Sequence, residues 1–404
     1  MRRSTKGLAA SAVIVSGLGI GLLQGQATGS PDDEVRGVSG PVSVDVSRAQ
    51  AQATEEYWTP QRRANATPME AGYVVDEEDL GKSPQATSAP ESPPGYSSSS
   101  RGMGKAETAK AVKVSQGDSV DPATIAEPQH GTKPSDPLNG SYGPFQRWSL
   151  RGTYNAYPAR TVGKLFFTLN GGSFVCSAST YGQNTVVTAG HCMSDGTATF
   201  ATSMQFCPAY LGTGTNPAYG CWSWTGGTTS FQWHNNGDPD YDYARLNFGN
   251  GGVCGCPVGN AVGWLGVGWN WGTSQPDMSL GYPQAAPFAG NRLIQTASTD
   301  WYTHDFEGGG QISKVMGNDM TGGSSGGPWV LGWNHANAEI ADTDGSNNTD
   351  PAGTFVNGVN SHKRCSVACF TPPTSTQGTF WQEMTSPPFE DTADINDVRA
   401  VLGL

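Results

Sequence analysis

Charge is scarce in this chain. Asp, Glu, Lys and Arg make up 14% of 404 residues, and the formal balance is −12. That sign, with no basic stripe, excludes a nucleic-acid partner. From Arg151 onward nine Lys and Arg face eighteen Asp and Glu, so the acidity persists to the end. It favours solubility and some attraction for cationic substrates, and it says nothing about fold. Internal repeats and coiled-coil heptads are absent, which removes solenoids and long-helix assemblies. Long hydrophobic runs are absent too, except the uncharged stretch from Gly7 to Leu23 behind Arg2, Arg3 and Lys6. That stretch is short and Gly-rich for a membrane span, and Ala27 offers a cleavage position. Residues 1–27 therefore read as an export signal, with a secreted product and no stable membrane association.

Aromatic residues are unevenly spread. Eleven of the twelve Trp fall at or after Trp148, which is where a core can be built. Residues 28–140 are rich in Pro, Ser, Ala and charge, as in Glu91-Ser92-Pro93-Pro94-Gly95. Such a composition does not offset its chain entropy, so this region is expected to be a disordered prosegment or linker. Tyr57-Trp58-Thr59-Pro60 is its one sticky patch, a candidate contact with the folded domain that begins near 141. Beyond Val162 the texture is β. Strands are expected over 165–169, 173–179 and 184–188, with Asn170-Gly171-Gly172 as a turn. Gly249 to Gly252 reads as a hinge between halves. Asp394 to Leu402 is the helix candidate, capped by Asp394 with Val398, Val401 and Leu402 on one face.

All eight cysteines lie between Cys176 and Cys369. An even count behind an export signal implies disulfides in an oxidising compartment. Cys254-Gly255-Cys256 and the pair Cys365 and Cys369 lack zinc-ligand spacing and have no histidine pair beside them. Cys207 and Cys221 would close a short loop.

Two motifs carry chemistry. Gly323-Ser324-Ser325-Gly326-Gly327-Pro328 places a serine in a glycine-rich turn, where backbone can approach a substrate closely. Thr188-Ala189-Gly190-His191-Cys192 supplies the base that such a serine needs. Asp242, in Tyr241-Asp242-Tyr243-Ala244-Arg245-Leu246, suits the third group that fixes the tautomer of His191. Asp240 is its rival, and Ala244 and Leu246 continue the pattern in favour of Asp242. His130, His234, His304, His335 and His362 read as surface or core residues. The order His, Asp, Ser is neither the Ser-first order of α/β-hydrolases nor the Asp-first order of subtilisins.

Together these motifs resemble the trypsin/chymotrypsin-like serine endopeptidases. The resemblance covers roughly 160 to 370. It implies an all-β, chymotrypsin-like fold of two six-stranded antiparallel β-barrels with a short C-terminal helix. The first barrel would span about 160–255 and the second about 256–404, after the disordered N-terminal region. It implies a triad of His191, Asp242 and Ser325, and an oxyanion hole from the N–H groups of Gly323 and Ser325. Ser361, in Gly358-Val359-Asn360-Ser361-His362, would support Asp242 and line the cleft. The family expects a Cys176–Cys192 bridge; Cys254, Cys256, Cys365 and Cys369 leave three pairings open.

Ser324 departs from the trypsin pattern, which has an aspartate there to pair with the new N-terminus after activation. The chain thus leans toward the bacterial glutamyl-endopeptidase-like branch, and removal of a prosegment would act by unblocking a cleft. Specificity has two readings, and the basic one is favoured. Asp319, six residues before Ser325, would select Arg or Lys; His362 with nearby hydroxyls would select an acidic side chain. Residues 342–350 have the oxygen density of a calcium loop but lack the EF-hand spacing and its terminal Glu, and read as an exposed turn. The expectation is a secreted, monomeric serine endopeptidase acting on protein or peptide through an acyl-enzyme, with no cofactor. The rivals are a non-catalytic binding or adhesion protein on the same scaffold, and an esterase.

Overall fold

The computed structural model describes residues 40–74, 95–97, 145–150, 153–212, 217–271, 275–286, 288–306, 312–332, 354–365, 383–390 and 398–404. The expected export signal, Asp394, Cys369 and the 342–350 turn lie outside them.

The first departure from the sequence reading is upstream of the expected domain. Residues 40–74, expected to be disordered, form β1 (Val42–Asp45), α1 (Arg48–Tyr57), α2 (Pro60–Ala64), β2 (Thr67–Pro68) and β3 (Gly72–Val74). Their local signals are strong. Ser47 and Gln50 form a reciprocal capping box, and Thr59 caps α2, which starts at Pro60. The Trp58 patch does contact the folded body: Trp58 is buried, packs on Phe166 at 5.4 Å and donates from Nε1 to Ser203 O. Tyr57 OH meets Ser173 Oγ at 2.8 Å, and Arg63 Nη1 donates to Gln205 Oε1 at 3.1 Å. Average composition hid a segment in which Val44, Val46, Tyr57, Trp58, Ala66 and Met69 pack onto the core. Two short strands follow, β4 (Gly95–Tyr96) and β5 (Gln146–Ser149).

The β-rich body then begins. Its first half contains β6 (Val162–Leu169), β7 (Gly172–Thr180), β8 (Thr185–Thr188), β9 (Thr202–Pro208), β10 (Trp222–Thr229), the short helix α3 (Phe231–Asn236) and β11 (Ala244–Phe248). Antiparallel pairing runs β6–β7–β8–β11–β10–β9 and returns to β6, closing a six-stranded barrel. Closure removes free edges. Its strands are buried on both faces: Leu165, Val186, Phe206 and Leu246 are inaccessible, while Phe166 is covered by Trp58. The expected hinge at Gly249–Gly252 is instead a tied turn, with Gly249 and Gly252 donating to Ser223 O and Cys221 O.

The second half contains α4 (Val258–Val262), β12 (Gly266–Trp269), β13 (Pro276–Gly281), β14 (Ile294–His304), β15 (Ser313–Gly317), β16 (Pro328–Leu331), β17 (Phe355–Val359), β18 (Lys363–Cys365), β19 (Glu383–Ser386) and α5 (Val398–Leu402). Its main sheet has the order β19–β15–β14–β13–β16–β17–β12–β4. Ser361 N donates to Thr385 O and Thr385 N to His362 O, both at 2.9 Å, so β19 also reaches the residues that follow β17. The expected C-terminal helix is present as α5, with Val398, Val401 and Leu402 buried and Tyr181 OH donating to Leu402 O.

Cys176–Cys192 and Cys207–Cys221 are bridged as expected, and Cys254 pairs with Cys256. Among the described residues no helix is long and apolar enough to cross a membrane.

Candidate active site

His191 lies in the turn of 3-10 helix, Gly190–Cys192, that follows β8. Gly190 is required there: a Cβ would fall 2.7 Å from the Trp233 ring and 3.0 Å from Asp242 Oδ1. The Cys176–Cys192 bridge ties this turn back to β7. Asp242, just before β11, is fully buried and holds the turn twice. The backbone N–H of His191 donates to Oδ1 at 2.6 Å, and Nδ1 lies 2.8 Å from Oδ2. Ser361 Oγ also donates to Oδ2, at 2.6 Å, as the sequence reading expected. Burial raises the Asp242 carboxyl, but His191, then His362 and Ser361, outweigh it and hold the group below the ordinary carboxylate range.

The rival Asp240 points elsewhere. Its carboxylate accepts from Phe306 N, Ser313 N and Ser313 Oγ, bracing the β14–β15 connection.

Ser325 is buried in the turn before β16. That turn abuts the histidine turn, since a Cβ on Gly326 would meet Thr188 Oγ1 at 2.0 Å and Ala189 N at 2.8 Å. Ser177, beside Cys176 on β7, fixes it from the first barrel: Ser177 N donates to Ser325 O at 2.7 Å, and Ser177 Oγ to Gly323 O at 2.8 Å. Ser324 Oγ donates to Thr321 O, closing the turn on itself without a charge. Gly323 has φ +93°, a left-handed conformation that turns its N–H into the cleft.

The cleft is not bare. Gly323 N donates to Met69 O at 2.8 Å, and Ser325 Oγ donates to the same oxygen at 3.3 Å. The Glu70 carboxylate accepts from Gly322 N at 2.9 Å. His191 Nε2 is buried with no hydrogen-bond partner.

The two specificity candidates are placed differently from expectation. Asp319 is half-buried and ion-paired with Arg147 on β5, while its Oδ1 is buried without a hydrogen bond. Burial raises its carboxyl, against the pull of Arg147 and Lys363. His362 lies against His191 and Asp242: its ring centroid is 5.5 Å from that of His191 and 5.6 Å from that of Trp233, and Nδ1 is 3.4 Å from Asp242 Oδ2. Ser361 spends its one proton on Asp242, so the contact between His362 Nδ1 and Ser361 Oγ requires the proton on Nδ1. Burial pulls His362 down to about 4, so the imidazole is neutral at pH 7 and offers an acidic side chain no charge.

Sequence reasoning missed Trp233, Arg147 and Lys363. Trp233 packs edge-on to His191 at 6.1 Å and donates from Nε1 to Ser194 O. Lys363 is within electrostatic reach of Asp319, Glu70 and Glu383, and burial pulls its ammonium down to about 8 against all three.

This constellation on a closed antiparallel barrel defines a chymotrypsin-like serine hydrolase. Residues 152–247 match the trypsin family model. Over 60% of this chain and 95% of the other, the sequence is 30% identical to the protease Anisep from Arthrobacter nicotinovorans, with a TM-score of 0.45. A thermostable serine protease, AL20, from an extremophilic microorganism is 31% identical over 57% of this chain and 91% of its own, with a TM-score of 0.43. No curated protein matches. The chain belongs to the trypsin-like serine proteases, and it is a serine endopeptidase.

Proposed function

We propose that the chain is secreted and hydrolyses peptide bonds through an acyl-enzyme formed on Ser325. The observation that carries this reading is the Met69 carbonyl oxygen, held by Gly323 N–H at the hydroxyl of Ser325. That contact supports binding of a substrate carbonyl at the same point. Ser325 Oγ attacks that carbon while its proton passes to His191 Nε2. The N–H groups of Gly323 and Ser325 stabilise the oxyanion as the C–O double bond opens. His191 returns the proton to the departing amine, and the C–N bond breaks. Water, deprotonated by His191, then releases the acid and restores Ser325. Asp242 stays ionised throughout and stabilises the imidazolium. The disulfides suit an oxidising, extracellular setting.

For specificity we propose an acidic side chain before the scissile bond. The support is Glu70, whose carboxylate rests on Gly322 N–H within reach of Lys363, while Arg147 already neutralises Asp319. A buried carboxylate needs such partners to offset its lost hydration. A second reading keeps Arg or Lys, on the strength of the unbonded Asp319 Oδ1. A fluorophosphonate followed over hours, with mapping of the labelled residue, tests the nucleophile. A peptide-library profile separates Glu from Arg or Lys. No labelling at Ser325 would favour a non-catalytic binding protein.

A further inference from the structure

Residues 67–74 cross the cleft from one half of the molecule to the other, and their direction is informative. Thr67 and Pro68 pair parallel with Phe174 and Val175 of β7, and Met69 N donates to Val175 O at 2.9 Å. Met69 O then occupies the Gly323 N–H. Ala71 O accepts from Lys363 N at 3.1 Å, and β3 runs parallel to β18 with Gly72 opposite Lys363. The acyl side of the Met69 carbonyl therefore lies on the first barrel, beside the strand that carries Cys176. The amine side lies along Lys363 to Cys365.

A productive substrate needs the opposite arrangement. Its acyl-side chain must lie along Ser361 to Lys363, the segment whose Lys363 is within electrostatic reach of Asp319. Its leaving nitrogen must face His191, the group that gives it a proton. In the strap the Glu70 nitrogen leads toward the second half of the molecule instead. The nucleophile and base are uncoupled at the same time: the Ser325 proton is turned onto Met69 O, and His191 Nε2 has no partner. We infer that residues 67–74 are a built-in inhibitor that fills the catalytic cleft with reversed chain polarity, so the triad holds the segment without cutting it. This rests on the proposed triad.

The anchoring fits that role. Upstream, β1 pairs with Gly226–Thr229 of β10, beyond the part of β10 that meets β9, and α1 and α2 dock through Trp58 and Arg63. Gln284 links the strap to the body: its Nε2 donates to Ala66 O at 2.7 Å, its Oε1 accepts from buried Lys164 at 2.6 Å, and its N–H donates to Gly322 O. A segment tethered this way acts at a high effective concentration, so modest contacts keep the cleft filled. The two ends of the strap bond to different halves, so it is released by losing hold of either.

The test compares three proteins: the full chain, the full chain carrying Glu70→Ala, and a full chain with a Gly-Ser linker of equal length in place of residues 67–74. The rate of fluorophosphonate labelling at Ser325 should rise in both variants, by roughly tenfold or more in the linker variant if the strap is seated most of the time. A synthetic peptide of residues 66–74 should inhibit the linker variant competitively and be recovered intact after prolonged incubation; a scrambled peptide should not inhibit. Cleavage of that peptide after Met69 would overturn the reversed polarity. Equal labelling of all three proteins would overturn the inhibition. Calorimetric binding of the peptide to the linker variant carrying Ser325→Ala should persist, and its absence would also overturn the strap. Labelling of none of the three, with binding intact, would count against the triad and leave the strap standing.

Discussion

Asp242 holds His191 at two points, accepting from its backbone N–H through Oδ1 and from its ring through Oδ2. The first contact fixes where the turn sits and the second fixes which ring nitrogen carries the proton. Asp242→Asn separates them. The amide oxygen can still accept from the backbone, so the fold should survive, while the imidazole loses the partner that stabilises its charged form. The expected loss in kcat is about four orders of magnitude. Steady-state hydrolysis with thermal unfolding as a control checks it; a loss of ~10-fold or less would remove Asp242 from the triad.

Ser325→Ala should abolish turnover and leave secretion and folding unchanged. Combined with His191→Ala it should cost no more than either change alone, because nucleophile and base act as one unit. Ser324→Ala should be mild, since its hydroxyl only closes the turn on Thr321 O. Inactivation by Ser324→Ala would reverse the assignment.

How much of this site was legible in the sequence follows from how local each part is. His191, Ser325 and their glycines sit in short turns whose backbone demands are written in neighbouring residues. Asp242 was separable from Asp240 by the apolar pattern after it. Trp233, Lys363 and Arg147 carried no such signal, because their roles exist only once α3, β18 and β5 reach the cleft. His362 kept two readings for the same reason, a bland histidine and an acid-binding group: its neighbour Ser361 was legible, but the burial that keeps its ring neutral was not. The strap was lost by averaging over 28–140, although the Ser47–Gln50 box and Trp58 were there to be read one turn at a time.

His362 makes acid stability sensitive to one ring. The native state binds its proton only near pH 4, whereas the unfolded chain binds it near 6.5. Between those values the unfolded state holds more protons, so stability falls as pH falls through the window and levels off below it. Urea unfolding across pH 4 to 7 should show this slope, and His362→Phe should flatten it. An unchanged slope would place the acid sensitivity elsewhere.

The Cys176–Cys192 bridge should matter for stability and activity together. Replacing both cysteines by alanine removes a crosslink with a sequence separation of 16. The expected cost is about 3 kcal/mol by denaturant unfolding. Activity should fall further than stability alone accounts for, because the bridge anchors the His191 turn. Full activity in a folded double variant would show that Asp242 positions the histidine unaided.

Lys363→Gln should lower kcat/KM for peptides with Glu before the scissile bond by about 10-fold or more, and affect apolar peptides little. Arg147→Gln should instead free Asp319 and raise the rate on Arg and Lys peptides. If Lys363→Gln were silent on Glu peptides, the acidic-pocket reading would be lost while the triad stood.

Ser177 belongs to the second strand of the barrel, yet its amide and hydroxyl hold carbonyls of the turn that carries Ser325, nearly a hundred and fifty positions later. Chain synthesis reaches His191 and Asp242 long before it reaches Ser325. A nascent or half-folded chain thus owns the proposed base and its carboxylate but no serine seated against them. Hydrolytic capability is assembled only when the late turn locks onto the early strand, so it appears all at once with completed folding, and a chain that opens between its halves gives it up before either half has melted.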